Sequence, residues 1–279
     1  MEDILTRRLL LSLSLPLAAM LILTSAVGLF DPNFYGEASQ NWQLQTTGQD
    51  GVDLFVIVPA LIISSLVSIR GNRIALSVWA GTNIYIAYTF AIYCFDVRFN
   101  SFFVLYCMIL GLSFFSTAIF FYAIVKDRHT VQVNSRVRKL VGYFFILVFV
   151  VFYFAWLSDI LPAIANGTTP ADVEDIGLLT NPVHVIDLSV ILPLVLVLGV
   201  LILKSNSIAL LLATPLLVFF ALMDVTIATL ALMLAGASAS DASAVASVVS
   251  CHAIVSVVIV ILLWSKIEFR NDSRVWKAY

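Results

Sequence analysis

The sequence predicts an all-α polytopic membrane protein of eight transmembrane helices. Composition is the first reason. Of 279 residues, 61% are hydrophobic and only 11% charged, where soluble domains run near a quarter charged, and mean hydropathy is +1.04. Pattern is the second. At roughly 20 apolar residues per crossing, the chain divides into windows at about 9–30, 52–69, 74–95, 101–125, 140–162, 183–203, 208–235 and 244–264. Lipid offers the backbone no hydrogen-bond partners, so continuous segments of this length are helices rather than strands. Charge sorting is the third. Arg7, Arg8, Arg70, Arg73, the run from Lys126 to Lys139, Lys204, Lys266, Arg270, Arg274 and Lys277 fall in alternate connections. Of the 15 basic residues only Arg98 falls in the other set. The positive-inside rule then places both termini in the cytoplasm.

This composition excludes a water-soluble catalytic domain, a nucleic-acid-binding module and a disordered tail. The lipid bilayer is the chain's first partner. The first window follows Arg7 and Arg8 but is longer than the apolar region of a signal peptide and lacks a small-x-small cleavage site, so it reads as a retained helix. The second window opens with Asp50 and Asp53 one turn apart at its outer start. The third carries Asn83 near mid-membrane, then Tyr85, Tyr88 and Tyr93 running towards the outer interface. The fourth holds Cys107. The fifth brings Phe152, Tyr153 and Trp156 to the outer side, with Asp159 near its outer end; Asn166-Gly167-Thr168 beyond it is a glycosylation triplet. The sixth starts with Asn181 as N-cap and Pro182 at the first helical position, and places His184 and Asp187 one turn apart. The seventh carries Asp224 about 16 residues from its cytoplasmic end, beyond the midplane at roughly 1.5 Å per residue. The eighth carries His252. Proline falls inside four windows, at Pro16, Pro59, Pro193 and Pro215. Cys94, Cys107 and Cys251 lie inside spans without CxxC spacing and give neither a disulfide framework nor a thiolate metal site.

The chain repeats itself. Shifted by 134 residues, VDLFVIVPALIISSLVSIRGNRIAL (52–76) falls on IDLSVILPLVLVLGVLILKSNSIAL (186–210), with nine of 25 positions identical. The matches include Asp53 with Asp187, Pro59 with Pro193 and Asn72 with Asn206. The single membrane domain 1–279 thus divides into a first four-helix repeat, 1–134, and a second, 135–279. An offset of four spans gives both halves the same orientation, related by a pseudo-two-fold axis along the membrane normal, as in parallel-repeat transporters.

An ionisable side chain at membrane depth costs at least about 2.5–3.5 kcal/mol on insertion scales, so each such residue needs a reason. Asp53, Asp187, Asp224, His184, Asp50, Asp159 and Asn83 are the candidate solute- or ion-binding residues. His184 and His252 are the candidate metal ligands. For Asp50 and Asp53 the plain alternative is an acidic helix start stabilised by the macrodipole. For His184 it is capping, and for His252 a packing hydrogen bond. Arg98 is the candidate ion partner of the outer carboxylates. No span contains a lysine, so a retinal Schiff base, and with it a rhodopsin, is excluded. No catalytic residue stands out: HExxH, GxSxG and P-loop patterns are all missing.

Thr47-Gly48-Gln49-Asp50, Phe99-Asn100 followed by Leu105-Tyr106, and Asn181-Pro182-Val183-His184-Val185-Ile186-Asp187-Leu188 together resemble a group of prokaryotic multi-pass membrane proteins of uncharacterised function. The resemblance implies a prokaryotic inner membrane and brings no reaction or substrate. Three functional readings remain. The leading one is a transporter of a small solute or ion, in which Asp53 and Asp187 line a polar cavity open to the outside and Asp224 with His184 relays a coupling proton. The second is a membrane-embedded metal or haem enzyme using His184 and His252; no cofactor is required by the sequence itself. The third is a non-catalytic sensor or membrane subunit, docked to other membrane proteins or to copies of itself.

Overall fold

A computed structural model describes residues 6–36, 38–126, 129–237 and 242–271. Arg128, Arg274 and Lys277 of the basic set lie outside the described residues. Among the described residues eight helices are long and apolar enough to cross a membrane: α1 (Arg7–Phe30), α2 (Gln40–Ser68), α3 (Arg73–Asp96), α4 (Phe103–Lys126), α5 (Ser135–Asn166), α6 (Pro182–Leu203), α7 (Ser207–Ala237) and α8 (Ala242–Lys266). A short helix, Ala171–Ile176, lies between α5 and α6. Six starts are set by side-chain caps of the expected kind, that of α7 by Asn206. Thr6, Ser39, Asn72, Asn134 and Asn181 each accept a hydrogen bond from a backbone N–H two or three residues on.

α2 begins twelve residues before the apolar window that predicted it. The stretch Gln40–Gln49 is too polar to read as a span, yet it is helical because its small polar face is buried. Thr46 and Asp50 are 3% and 1% exposed, and Gly48 lets Leu230 and Met233 of α7 pack directly on the backbone. Asp50 and Asp53 therefore sit deep in a 29-residue helix rather than at its start. α5 likewise overruns its window at both ends, so that Pro162 lies inside it.

α2 and α6 each change pitch. Residues Asp53–Ile57 and Asp187–Ile191 are π-helical, closed by Val58 N–H donating to the Asp53 carbonyl and Leu192 N–H to the Asp187 carbonyl. Pro59 and Pro193 follow at the second position of the resumed α-helix. Proline has no N–H and its ring crowds the carbonyl four residues back, and a wider turn accommodates both. The turn into the next helix also recurs: Gly71 (φ 81°) and Ser205 (φ 64°), again 134 apart, are left-handed. Asn72 and Asn206 then accept from Ala75 N–H and Ala209 N–H at 2.9 and 3.0 Å.

In lipid no hydrophobic drive pulls helices together, so close backbone approach and polar contacts must do it. α1 packs on α2, α2 on α3, α3 on α4, and α4 back on α1; α5 to α8 close in the same order. α3 and α7, the two most buried spans, cross at the centre, while α2 touches α7 and α6 touches α3. At the crossing a Cβ on Gly81 would come within 2.5 Å of the Pro215 carbonyl oxygen. On one face, strands β1 (His129–Gln132) and β2 (Glu268–Asn271) pair antiparallel, joining the α4–α5 connection to the segment after α8. This is the basic face; Arg98 and the short helix lie on the opposite one.

Candidate functional site

Between the two four-helix groups, in the half towards the Arg98 face, lies a cavity of about 470 Å³. Six helices wall it. α2 gives Trp42, Gln45, Thr46 and Gln49; α3 gives Tyr88, Thr89 and Tyr93; α5 gives Phe152 and Trp156. Asp187 enters from α6, Phe219, Asp224, Thr226 and Ile227 from α7, and His252 from α8. The remainder of the wall is mostly aliphatic, and among the described residues neither lysine nor arginine contributes.

Two neutral donors hold Asp187. Tyr88 Oη donates to its Oδ1 at 3.1 Å and Trp156 Nε1 to its Oδ2 at 2.9 Å. Asp187 is the first residue of the π-turn in α6. Asp224, 3% exposed, faces His252 across α7 and α8, with Oδ2 2.7 Å from Nδ1. A proton in that gap serves either partner, and a charge-assisted bond of this length is among the strong ones. Phe144 stacks on the imidazole at 5.4 Å and 18°, and Phe152 and Phe220 meet it edge-on. The far nitrogen, Nε2, is buried without a hydrogen-bond partner among the described residues.

Asp53, 134 residues before Asp187, is fully buried and does not line the cavity. Gln49 stands between them. Its Nε2 donates to Asp53 Oδ1 at 2.9 Å and to Tyr85 Oη at 2.7 Å. Tyr85 Oη in turn lies 2.7 Å from Thr226 Oγ1, which donates to the Leu222 carbonyl, so a hydrogen-bonded string links Asp53 to α7. Asp53 Oδ2 has no partner among the described residues. Asp50 closes a second buried group, accepting from Tyr35 at 2.7 Å and Tyr93 at 3.1 Å. Burial first, and the adjacent Asp50 carboxylate second, push the Tyr35 phenol far above its usual range, so it stays a donor. Gly28 of α1 makes the room: a Cβ there would overlap Asp50 Oδ2.

Of the sequence candidates, Asp187, Asp224 and His252 meet at the cavity, with Asp53 one side chain behind it. His184 is buried and packs its ring 4.6 Å from that of Trp156, and it does not line the cavity. Asn83 is fully buried on α3, donating to the Trp79 carbonyl at 2.8 Å. Asp159 is half-buried near the end of α5. The partners of Asp50 are tyrosines, while Arg98 is exposed. Among the described residues no group of three or more His, Cys, Asp or Glu side chains converges as a metal site. Sequence reading missed Gln49, Thr226, Tyr35 and Gly28. Only the polarity of Gln49 and Thr226 inside long helices could have signalled the first two. It also missed the approach of Cys94 to Cys107, whose sulfurs lie 4.0 Å apart. Comparison with protein-family models, curated proteins and solved structures finds no match for this chain, so its functional reading rests on these side chains.

Proposed function

We propose that this protein is a transporter of a small solute, with both termini cytoplasmic and the cavity between its two four-helix units as an outward-facing binding site. The observation that carries the reading is the cavity itself. It lies at the junction of two similarly packed units and is reached by a carboxylate from α6 and by an Asp–His pair from α7 and α8. A cavity at the interface of repeated halves is the usual place for a transporter's site. The duplication into 1–134 and 135–279 is supported by the shared offset of the π-turns, the prolines and the left-handed turn residues, and by the matching order of helix contacts.

The π-turns also bear on movement. Each interrupts the regular ladder of a cavity-flanking helix, giving α2 and α6 a point at which to bend without breaking further hydrogen bonds. Asp224 with His252, rather than with His184, is the proton-relaying pair in this reading. The sorting of basic residues to one face supports the cytoplasmic placement of both termini.

Side-specific labelling tests the proposal. Ile227, on the cavity wall, is replaced by cysteine in a background with Cys94, Cys107 and Cys251 changed to serine. A neutral, membrane-impermeant sugar methanethiosulfonate is then applied to right-side-out and inside-out vesicles. Transport predicts labelling from the outside, and from the inside when an imposed pH gradient turns the carrier over. Labelling from the outside alone under every gradient would leave a one-sided binding protein and refute transport.

A further inference from the structure

From the same cavity we infer a substrate class, an organic cation: an amine or quaternary ammonium with an apolar body. The inference rests on the transporter reading for its site, and on three features of the wall for its chemistry. First, the charge is one-sided. Asp187 is held by a phenol and an indole, neither of which neutralises it, and among the described residues no lysine or arginine lines the cavity. A desolvated carboxylate next to an apolar space calls for a positive partner, and it would repel an anionic solute.

Second, aromatic faces are concentrated there. Trp42, Tyr88, Phe152, Trp156 and Phe219 all line the space. Rings of this kind bind alkylammonium groups through their quadrupoles, most strongly when water is excluded. Third, the wall does not suit a bare metal or alkali cation. Such an ion needs several oxygen ligands at short range, whereas one oxygen of Asp187 is occupied by an indole N–H, which cannot ligate a cation. The volume, about 470 Å³, falls in the range that encloses small organic ligands, roughly 300–1,000 Å³. An uncharged apolar solute would leave Asp187 and the Asp224–His252 pair without a role.

The test uses two water-soluble probes of similar shape and opposite charge, phenyltrimethylammonium and benzenesulfonate. Each is assayed for protection of the Ile227→Cys variant against the neutral labelling reagent in right-side-out vesicles. Phenyltrimethylammonium should protect at concentrations where benzenesulfonate has no effect. Asp187→Asn should weaken that protection by roughly thirty-fold or more, the loss expected when one partner of a buried charge pair is removed. Trp42→Leu should weaken it by about two- to thirty-fold. Because Asp187→Asn could disturb folding, its unprotected labelling rate serves as the control and should match the parent's. Equal protection by both probes, or cation protection that survives Asp187→Asn, overturns the inference. So does normal labelling that neither probe slows, and this outcome leaves the transporter reading standing. If no reagent reaches the introduced thiol from either side, both readings are overturned.

Discussion

Replacing Gly28 by alanine should destabilise the protein, although the same change within a helix normally stabilises it by about 0.5–1 kcal/mol. Gly28 lies in the last turns of α1 with an ordinary helical backbone, so no strain opposes a side chain there. The obstacle is the buried carboxyl of Asp50. An added Cβ would overlap Oδ2 and approach Cγ to 2.8 Å and Tyr35 Oη to 2.7 Å. The carboxyl is 1% exposed and held by two tyrosine hydroxyls, so it escapes only by giving up at least one of those bonds. A hydrogen bond contributes about 0.5–1.5 kcal/mol, and overpacking alone costs about 1–3 kcal/mol. Set against the helix-propensity gain, the net loss should be about 2 kcal/mol. Reversible unfolding in mixed micelles, followed by circular dichroism, measures it. A double-mutant cycle with Asp50→Ala isolates the cause, because without the carboxyl the Tyr35 hydroxyl is also released to move aside and the cost of alanine at 28 should shrink. If Gly28→Ala costs the same in both backgrounds, Asp50 does not pack on α1 as described and the buried tyrosine–carboxyl group is wrong.

Two further predictions probe the frame around the site. Oxidation of membranes with copper–phenanthroline should join Cys94 to Cys107, whose sulfurs start 4.0 Å apart, and leave Cys251 as the remaining maleimide-reactive thiol; three reactive thiols after oxidation would contradict the pairing of α3 with α4. Ser205→Gly should stabilise the protein by about 1 kcal/mol by removing the cost of a left-handed non-glycine residue, and Gly71→Ser should cost about as much at the matched turn. Unfolding of each single variant in the same micelles reads both signs.

How much of this was legible in the sequence depends on which force sets each feature. The spans were legible because apolar length is a one-dimensional property. The amino-terminal half of α2 was not, because Gln40–Gln49 is helical through burial against α7, a contact no local pattern announces. The matched aspartates and prolines marked the two places where the helices widen into π-turns, although spacing alone could not predict the change in pitch. Side-chain partners were the least legible. His184 and Asp187 share one face of a helix turn, yet Trp156 from α5 supplies the donor to Asp187 and a ring against His184. Asp224 and His252 sit on different helices 28 residues apart, and helix rotation is set by packing against neighbours.

Under the proposed duplication, the same contrast explains how two related units hold an asymmetric site. In the first unit the space among α1 to α4 near the Arg98 face is filled from the connection 31–39. That connection inserts Tyr35, 8% exposed, while Phe34 packs on Phe102 at 5.2 Å. Phe90, Tyr93 and Tyr106 complete the filling with ring centroids 5.1 to 5.9 Å apart. The corresponding connection of the second unit, 167–181, contains no aromatic residue at all. At the positions 134 residues beyond Phe90 and Tyr93 stand Asp224 and Ile227, both on the cavity wall. In this comparison large rings of the first unit stand where the second has a carboxylate and an aliphatic residue on the cavity wall. On the proposed duplication, the first unit specialised as a filled scaffold and the second as the chamber. The division predicts where function resides: substitutions among the Tyr35–Asp50–Tyr93 group should act through stability, and those at Asp187, Asp224 and His252 through binding.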